Sequence, residues 1–408
     1  MTTSSPQPHG RPVVSDARLL ATALEDRGRK LTEVLTEMAT LASASAEIAA
    51  GARALRGAER EMDAAGAIDP ALRLTVFLPS NNILYSCVLF GLIPATYLGQ
   101  VDMRPSSRAK ATYFAVMDVL SDLLPPGVRM FDETQREFVR RARGSDLVVF
   151  TGRLANGREL YRGMPEPKPT FLGFGSGPNP VVVGPAADLG AAVGDLVTAR
   201  LHNGGQDCLC PDVVFVHESR SAEFGDRLRT ALAGVRPGSR RDEGLVNCPL
   251  SYEDAWLRAT AFLDEHRDAV TWQGRGAAGR WFVPVTVVER RLDDLGGVPE
   301  LFAPVFNVVS YPDADRLLSW FEAPAQRDSG FYASVYGEPA FDGRDVLGTS
   351  VNCGTRSALA AEDGNRPFGG FGRDASWVQS ADGLAGRPLL VSAEAARISV
   401  KSPGTAAR

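Results

Sequence analysis

From Leu74 onward, short apolar runs alternate with helical stretches, and this alternation constrains the fold more than any other feature of the chain. Residues 74–78 precede a helical stretch, 97–103 precede one over 108–124, 128–131 lead into one that ends at Arg143, and 146–150 lead into another. A parallel pair of strands needs a long crossover, usually a helix, so this order predicts a doubly wound parallel sheet. Such sheets bind ligands beyond the carboxyl ends of their strands, which singles out the residues just after each run. Ahead of the alternation, residues 16–65 are Ala- and Leu-rich with charges three and four apart, a helical pattern. Behind it, a helix is expected over 187–201. A second series of strands is then expected at 212–217, 281–288, Val305–Tyr311 and 331–336, with helices over Ser221–Leu232 and 314–321. Residues 388–392 read as a candidate last strand.

With 408 residues the chain has room for two or three compact domains. Residues 1–15 are polar and Pro/Ser-rich without an apolar segment, which reads as a loose tail and no secretory leader. No apolar run approaches the ~18–20 residues that span a bilayer. Five cysteines, an odd number thinly spread, argue against a disulfide framework and for a reducing, cytoplasmic setting. No histidine pair and no second cysteine pair has zinc-ligand spacing, so no metal site is expected. A net charge of -5, with Arg pairs interleaved with acids, makes nucleic acid a poor partner.

Five segments have the residue types that chemistry requires. Asn203-Gly204-Gly205-Gln206-Asp207-Cys208 follows the expected helix 187–201 and sets a thiol on a Gly-Gly turn, where backbone approaches a substrate closely. A free thiol has a pKa near ~8.5, so a nucleophilic role needs backbone N–H groups or a cation nearby. Taken alone, an inert buried cysteine fits the pattern as well, and Cys210 reads as packing beneath the loop. Gly173-Phe174-Gly175-Ser176-Gly177-Pro178-Asn179-Pro180 resembles a dinucleotide fingerprint only superficially. Pro178 and Pro180 intervene and a β-run follows, which makes it a strand-to-strand turn. Phe150-Thr151-Gly152-Arg153 is the better phosphate candidate, because it ends a strand and opens a helix. Pro299-Glu300-Leu301-Phe302-Ala303-Pro304 and Pro367-Phe368-Gly369-Gly370 complete the set. Aromatics such as Phe171, Phe371 and Trp377 fit either an apolar pocket or a core.

Taken together in chain order, over roughly residues 70–380 and with Arg104-Pro105 ahead of them, these segments resemble the aldehyde dehydrogenase superfamily. The resemblance implies an α/β fold: a Rossmann-type parallel-sheet cofactor domain, an α/β catalytic domain and a small oligomerisation element. It places the tail at 1–15, helices and cofactor domain at 16–200, the catalytic domain at 201–372 and an oligomerisation segment at 373–408 of a homo-oligomer. It makes Cys208 the nucleophile. The oxyanion donors become its backbone N–H and a side chain of Pro79-Ser80-Asn81-Asn82, with Asn82 preferred over Asn81. For the nicotinamide dinucleotide it implies Thr151 and Gly152 at the pyrophosphate, Gly175 nearby, Glu300 and Phe302 at the nicotinamide ribose, and Arg104 and Ser107 at the adenosine ribose.

Two departures from the family pattern bear on the reaction. The position that holds the water-activating glutamate in hydrolytic members is Phe174 here, and losing such a base costs about 10²–10⁴ in rate. The Gly-rich turn and the Asn81-Asn82 segment are also closer to the acylating, coenzyme A-linked branch. Conversion between an acyl thioester (coenzyme A or carrier-bound) and an aldehyde is therefore the leading expectation. Oxidation to the acid, with Glu362 or another acid as base, and a retired member serving as scaffold are the alternatives. The second departure is Arg104-Pro105-Ser106-Ser107-Arg108, where the family has a carboxylate at the Ser107 position. A 2′-phosphate meets no like charge there and Arg104 or Arg108 is available to pair with it, which favours NADP over NAD.

Overall fold

The computed structural model describes residues 16–401, apart from 176, 278, 342–349 and 354–355. The expected tail at 1–15 thus lies outside the described residues. Three helices open the fold: Ala17–Asp26, Gly28–Leu35 and Leu41–Ala65. Asp16 and Thr40 start the first and third by accepting otherwise unpaired N–H groups, Arg18 N at 2.9 Å and Ser43 N at 3.2 Å. Their apolar faces pack onto one side of a seven-stranded sheet.

In that first sheet the parallel strands Val128–Met130, Gln100–Arg104, Arg73–Phe77, Leu147–Thr151 and Thr170–Phe174 lie side by side in this order. Runs such as Leu147-Val148-Val149 are apolar on both faces because helices cover both. The carboxyl ends are in register, with Phe77 beside Arg104 and Phe150, and Thr151 beside Phe174. A hairpin of Ser376–Ser380 and Gly383–Gly386 extends the sheet antiparallel to Thr170–Phe174. Here Trp377 stacks on Phe171 with centroids 5.3 Å apart and both side chains fully buried. A Cβ at Gly173 would lie 2.0 Å from Trp377, so the ring occupies the space that glycine leaves. Of the aromatics that fitted either pocket or core, Trp377 and Phe171 are core and Phe371 is exposed.

The second sheet, also seven-stranded, runs Val270–Gln273, Thr286–Arg291, Val305–Tyr311, Val213–His217, Pro180–Val183, Tyr332–Tyr336 and Ser350–Cys353. It is parallel except for its first strand, which pairs antiparallel with Thr286–Arg291. Its core includes the helices Leu189–Leu201 and Ser221–Leu232.

Three expectations need correcting. The boundary near residue 200 falls earlier, since Pro180–Val183 and the helix Leu189–Leu201 already build the second sheet and its core. The strand expected over 281–288 begins only at Thr286. Residues 388–392 are no strand: Leu389 makes an isolated bridge to Phe368 and the helix Val391–Lys401 begins at once. Residues 376–386, within the segment expected to serve oligomerisation, extend the first sheet, where the Phe171–Trp377 stack anchors them.

Candidate active site

The Gly-rich turn after Phe174 leaves the carboxyl end of the first sheet and enters the second at Pro180. Cys208 lies on the loop ahead of Val213–His217, whose first residue pairs with Pro180. Delivery of Cys208 depends on three consecutive left-handed residues after the helix Leu189–Leu201: Asn203 (φ 50°), Gly204 (φ 65°) and Gly205 (φ 82°). A Cβ at Gly205 would lie 2.5 Å from the Ala303 carbonyl oxygen, so the turn and the segment that bears Glu300 and Phe302 fit together only through glycine.

Buried polar groups lock this loop. The Asn179 side-chain amide donates to the Cys208 carbonyl at 2.7 Å. The fully buried Arg200 donates to the carbonyls of Ala303 (3.0 Å from Nε) and Pro211 (2.7 Å), and lies 3.4 Å from the Asp212 carboxylate. Asp207 accepts from the Leu209 backbone N–H at 2.7 Å and from Asn82 Nδ2 at 2.7 Å. Asn82 itself is left-handed at φ 51°. It brings its amide beside Cys208's neighbour, whereas the Asn81 amide reaches the Gln206 carbonyl at 3.3 Å. Cys210 is buried with its thiol directed at the Ala199 carbonyl, 3.1 Å away, and so packs beneath the loop.

Cys208 is partly buried and packs against the cluster of Leu209, Phe331 and Ala375. Burial first, then the negative charges of Asp207 and Glu300, hold its thiol well above the ordinary value. Glu362 adds a further negative charge.

A cavity of about 380 Å³ joins the two sheets at this point. Thr151, Phe174 and Gly175 line one part, Asn82, Asp207 and Leu209 another, and Tyr85, Glu362 and Glu47 a third. Phe174 is buried, 4.8 Å from the Phe90 ring and 6.3 Å from the Phe368 ring. Glu362 accepts from the Tyr85 hydroxyl, and burial pushes its carboxyl up to about 7.

The residues assigned to a dinucleotide fall into two groups. Thr151 and Gly175 reach the cavity, and their surroundings fit a phosphate-bearing cofactor. Thr151 Oγ1 is buried without a hydrogen-bond partner, and the helix Leu154–Arg162 begins with no side-chain cap. Gly152 has φ 148°, and a Cβ there would meet the Phe150 ring at 2.9 Å. The N–H groups of Gly152 and Gly175 are already engaged by the carbonyls of Phe174 and Ala375. Arg104 and Ser107 lie off the cavity: Arg104 donates to the Glu133 carbonyl at 2.9 Å and Ser107 is exposed. Arg108 pairs with Asp254 at 2.7 Å. Phe302 takes φ 49°, half-buried beside Leu301 and Ala303. Among the described residues no group of three or more His, Cys, Asp or Glu is placed to hold a metal, and no helix is long and apolar enough to cross a membrane.

Comparison with known proteins decides the family. The model of the aldehyde dehydrogenase family matches residues 15–384. The chain belongs to the aldehyde dehydrogenase family. Among curated relatives, the 4,4'-diapolycopene-4,4'-dial dehydrogenase of Cytobacillus firmus is 25% identical over 233 residues, 56% of this chain and 50% of that protein. The NADP(+) succinate-semialdehyde dehydrogenase 1 of Mycobacterium tuberculosis is 32% identical over 156 residues, 37% of this chain and 34% of that protein. The matched region thus spans half or less of the length of these relatives. An aldehyde dehydrogenase from Bacillus cereus, solved as its NAD+ complex, superposes with a TM-score of 0.78 at 19% identity, covering 94% of this chain and 81% of that one. The glyceraldehyde-3-phosphate dehydrogenase GapN of Methanocaldococcus jannaschii, solved with NADP, gives 0.75 at 16% identity, with coverages of 89% and 84%. The fold expected from the resemblance is therefore the fold observed.

Sequence reasoning missed the supports of this aldehyde dehydrogenase loop, Arg200, Asp207 and Tyr85. An arginine in a helix and an acid in a loop are ordinary surface signals. Only Asp212, an acid heading an apolar strand, hinted at a buried partner.

Proposed function

We propose that this aldehyde dehydrogenase family member interconverts an aldehyde and an acyl thioester through a covalent thioester on Cys208, with a coenzyme A or carrier thiol as the acyl partner. The observation that carries this reading is Phe174. Its ring lies between Phe90 and Phe368 on the wall of the cavity beside Cys208's neighbours, where the resemblance would put a water-activating glutamate. A phenyl ring accepts no proton, and it dries the space through which water would attack. The bound acyl group then waits for hydride or for a thiol, a better nucleophile than water.

In this reading Cys208 attacks the carbonyl carbon, while its backbone N–H and the Asn82 amide receive the developing oxyanion. Such a donor typically contributes about 3–4 kcal/mol. Asp207 takes one Asn82 N–H and thereby fixes the direction of the other. Thr151 would hold the pyrophosphate of an NAD(P) cofactor and Glu300 its nicotinamide ribose, and the cofactor would supply or take up the hydride at the carbon on Cys208. NADP is favoured over NAD because Ser107 brings no carboxylate; a relative and a solved neighbour named with NADP support it, beside another solved with NAD+. Two curated relatives named for a dial and a semialdehyde support an aldehyde as the small substrate. The same reading takes 373–408 as the contact element of a homo-oligomer, with Gly383–Gly386 on the open edge of the first sheet.

The test is product analysis with short and aromatic aldehydes, NAD+ or NADP+, with and without coenzyme A. Thioester should form only with the thiol present, and Cys208→Ala should form none. Rapid acid formation without thiol, lost in Cys208→Ala, would favour the second reading, oxidation of the aldehyde to the acid. That reading has its own support in Glu362, a carboxylate in the same cavity.

A further inference from the structure

We propose that Glu362 is the general base for release of the acyl group from Cys208, with Tyr85 as the residue that positions it. The inference rests on the Cys208 thioester proposed above and holds for either acceptor. The thiol S–H or water O–H gives its proton to the Glu362 carboxylate as its sulfur or oxygen bonds to the acyl carbon. The tetrahedral adduct then collapses, the bond from carbon to Cys208 Sγ breaks, and the thiolate takes the proton back from Glu362. No electrons change hands in this step.

Three observations carry it. Glu362 lines the same cavity as Asp207 and Leu209, the residues on either side of Cys208. The Tyr85 hydroxyl lies 2.7 and 2.6 Å from the two Glu362 oxygens. A hydroxyl has one hydrogen, so it holds the carboxylate while one oxygen stays free to accept another. Two other acids of the cavity are committed. Asp207 has both oxygens engaged, by Leu209 N–H and by Asn82. Glu47 accepts the backbone N–H of Tyr85 at 2.9 Å and that of Leu84, so it caps the helix Ile83–Cys87.

Glu362 is faced by Tyr85 from that helix, Arg53 from the helix Leu41–Ala65, Asp207 from the Cys208 loop and its own neighbour Asp363. The Tyr332 hydroxyl, on Tyr332–Tyr336, is affected by both Glu362 and Cys208. Burial dominates and raises the Glu362 carboxyl to about 7; Tyr85 and Arg53 pull it down, Asp207 and Asp363 push it up. The basic form therefore forms as pH rises through about 7, and acyl release should fall on the acid side of that value.

The experiment is stopped-flow absorbance of NADPH formation by the full chain with NADP+ and propanal, hexanal or benzaldehyde, with coenzyme A and without. In Glu362→Gln the first-turnover burst should persist at wild-type amplitude, which also reports a folded site. The steady rate at pH 8 should drop by about 10²–10⁴ and its acid limb near pH 7 should vanish. Glu362→Asp should recover part of the rate. Tyr85→Phe should move the limb to higher pH while keeping the plateau. Loss seen with coenzyme A identifies the thiol as acceptor, and loss of acid formation without it identifies water; both support the inference. A normal burst with an unchanged steady rate in Glu362→Gln, or a limb that disappears in Glu47→Gln instead, overturns it. If the wild type shows no burst and Cys208→Ala turns over equally fast, the thioester reading falls and takes the inference with it.

Discussion

Two turns meet at the cavity, and they are built on opposite principles. The Cys208 turn is locked by hydrogen bonds: Asn179 holds its carbonyl, Asp207 is engaged at both oxygens, and Arg200 ties the loop base to the Glu300-bearing segment. The turn after Leu147–Thr151 is left open, with an unpartnered Thr151 hydroxyl and an uncapped helix start. Chemistry at a carbon needs a nucleophile held within a fraction of an ångström, which buried polar scaffolding provides. A site for a dissociable ligand must instead keep donors unpaired until the ligand arrives. Substitutions in the first turn should therefore cost stability, and those in the second should cost binding.

The strongest test of this contrast is Arg200→Met. It leaves Asp212 without its cation and the carbonyls of Ala303 and Pro211 without that donor. Breaking a buried pair in this way typically costs about 3–5 kcal/mol, measurable by urea unfolding. The loss should depend on pH. Burial holds Asp212 at about 6 in the folded chain, above its ordinary 3.8, even with Arg200 pulling it down. Its ionisation therefore subtracts stability as pH rises through that window, and subtracts it fully above about 6. Without Arg200 the folded value rises further, so the variant should lose more at pH 8 than at pH 5. A loss below about 1 kcal/mol at both would mean that the Cys208 turn does not depend on its polar lock.

Gly205→Ala comes next. At φ 82°, and with a Cβ 2.5 Å from the Ala303 oxygen, alanine should cost about 1–3 kcal/mol. Because the strain falls on the joint between the Cys208 loop and Ala303, iodoacetamide labelling of Cys208 should change rate as well. An unchanged labelling rate with full stability would show that the two segments are packed less tightly than the contrast requires.

The two turns also differ in how legible they were. Gly204-Gly205 and Gly152 announce positive φ by residue type alone, and the strands Leu147–Thr151 and Val213–His217 announce themselves by apolar runs. The alternation that implied a parallel sheet was therefore sufficient for the first four strands. The hairpin 376–386 was not legible, since Gly383-Leu384-Ala385-Gly386 has no strand texture and is held through its partner strand's stack of Trp377 on Phe171. The domain boundary was misplaced for a related reason: Pro180–Val183 continues the Gly-rich turn in sequence, and only pairing with Val213–His217 assigns it to the second sheet. Cys208 and Phe174 were singled out by the order of the motifs. Arg200 and Tyr85 were not, because what matters about them is burial and a partner far along the chain.

The smallest expected effect on stability is the most telling for the open turn. Thr151→Val removes a buried hydroxyl that has no partner and keeps the shape of the side chain. An unpaired buried hydroxyl costs stability in the native chain, so the substitution should leave unfolding unchanged or raise stability by up to about 1 kcal/mol. The same change should weaken NADP+ binding several-fold in a fluorescence titration, because the hydroxyl's partner in this reading is the cofactor. A clear loss of stability with unaltered cofactor affinity would reverse the assignment, making Thr151 part of the scaffold and leaving the contrast between the two turns without its second member.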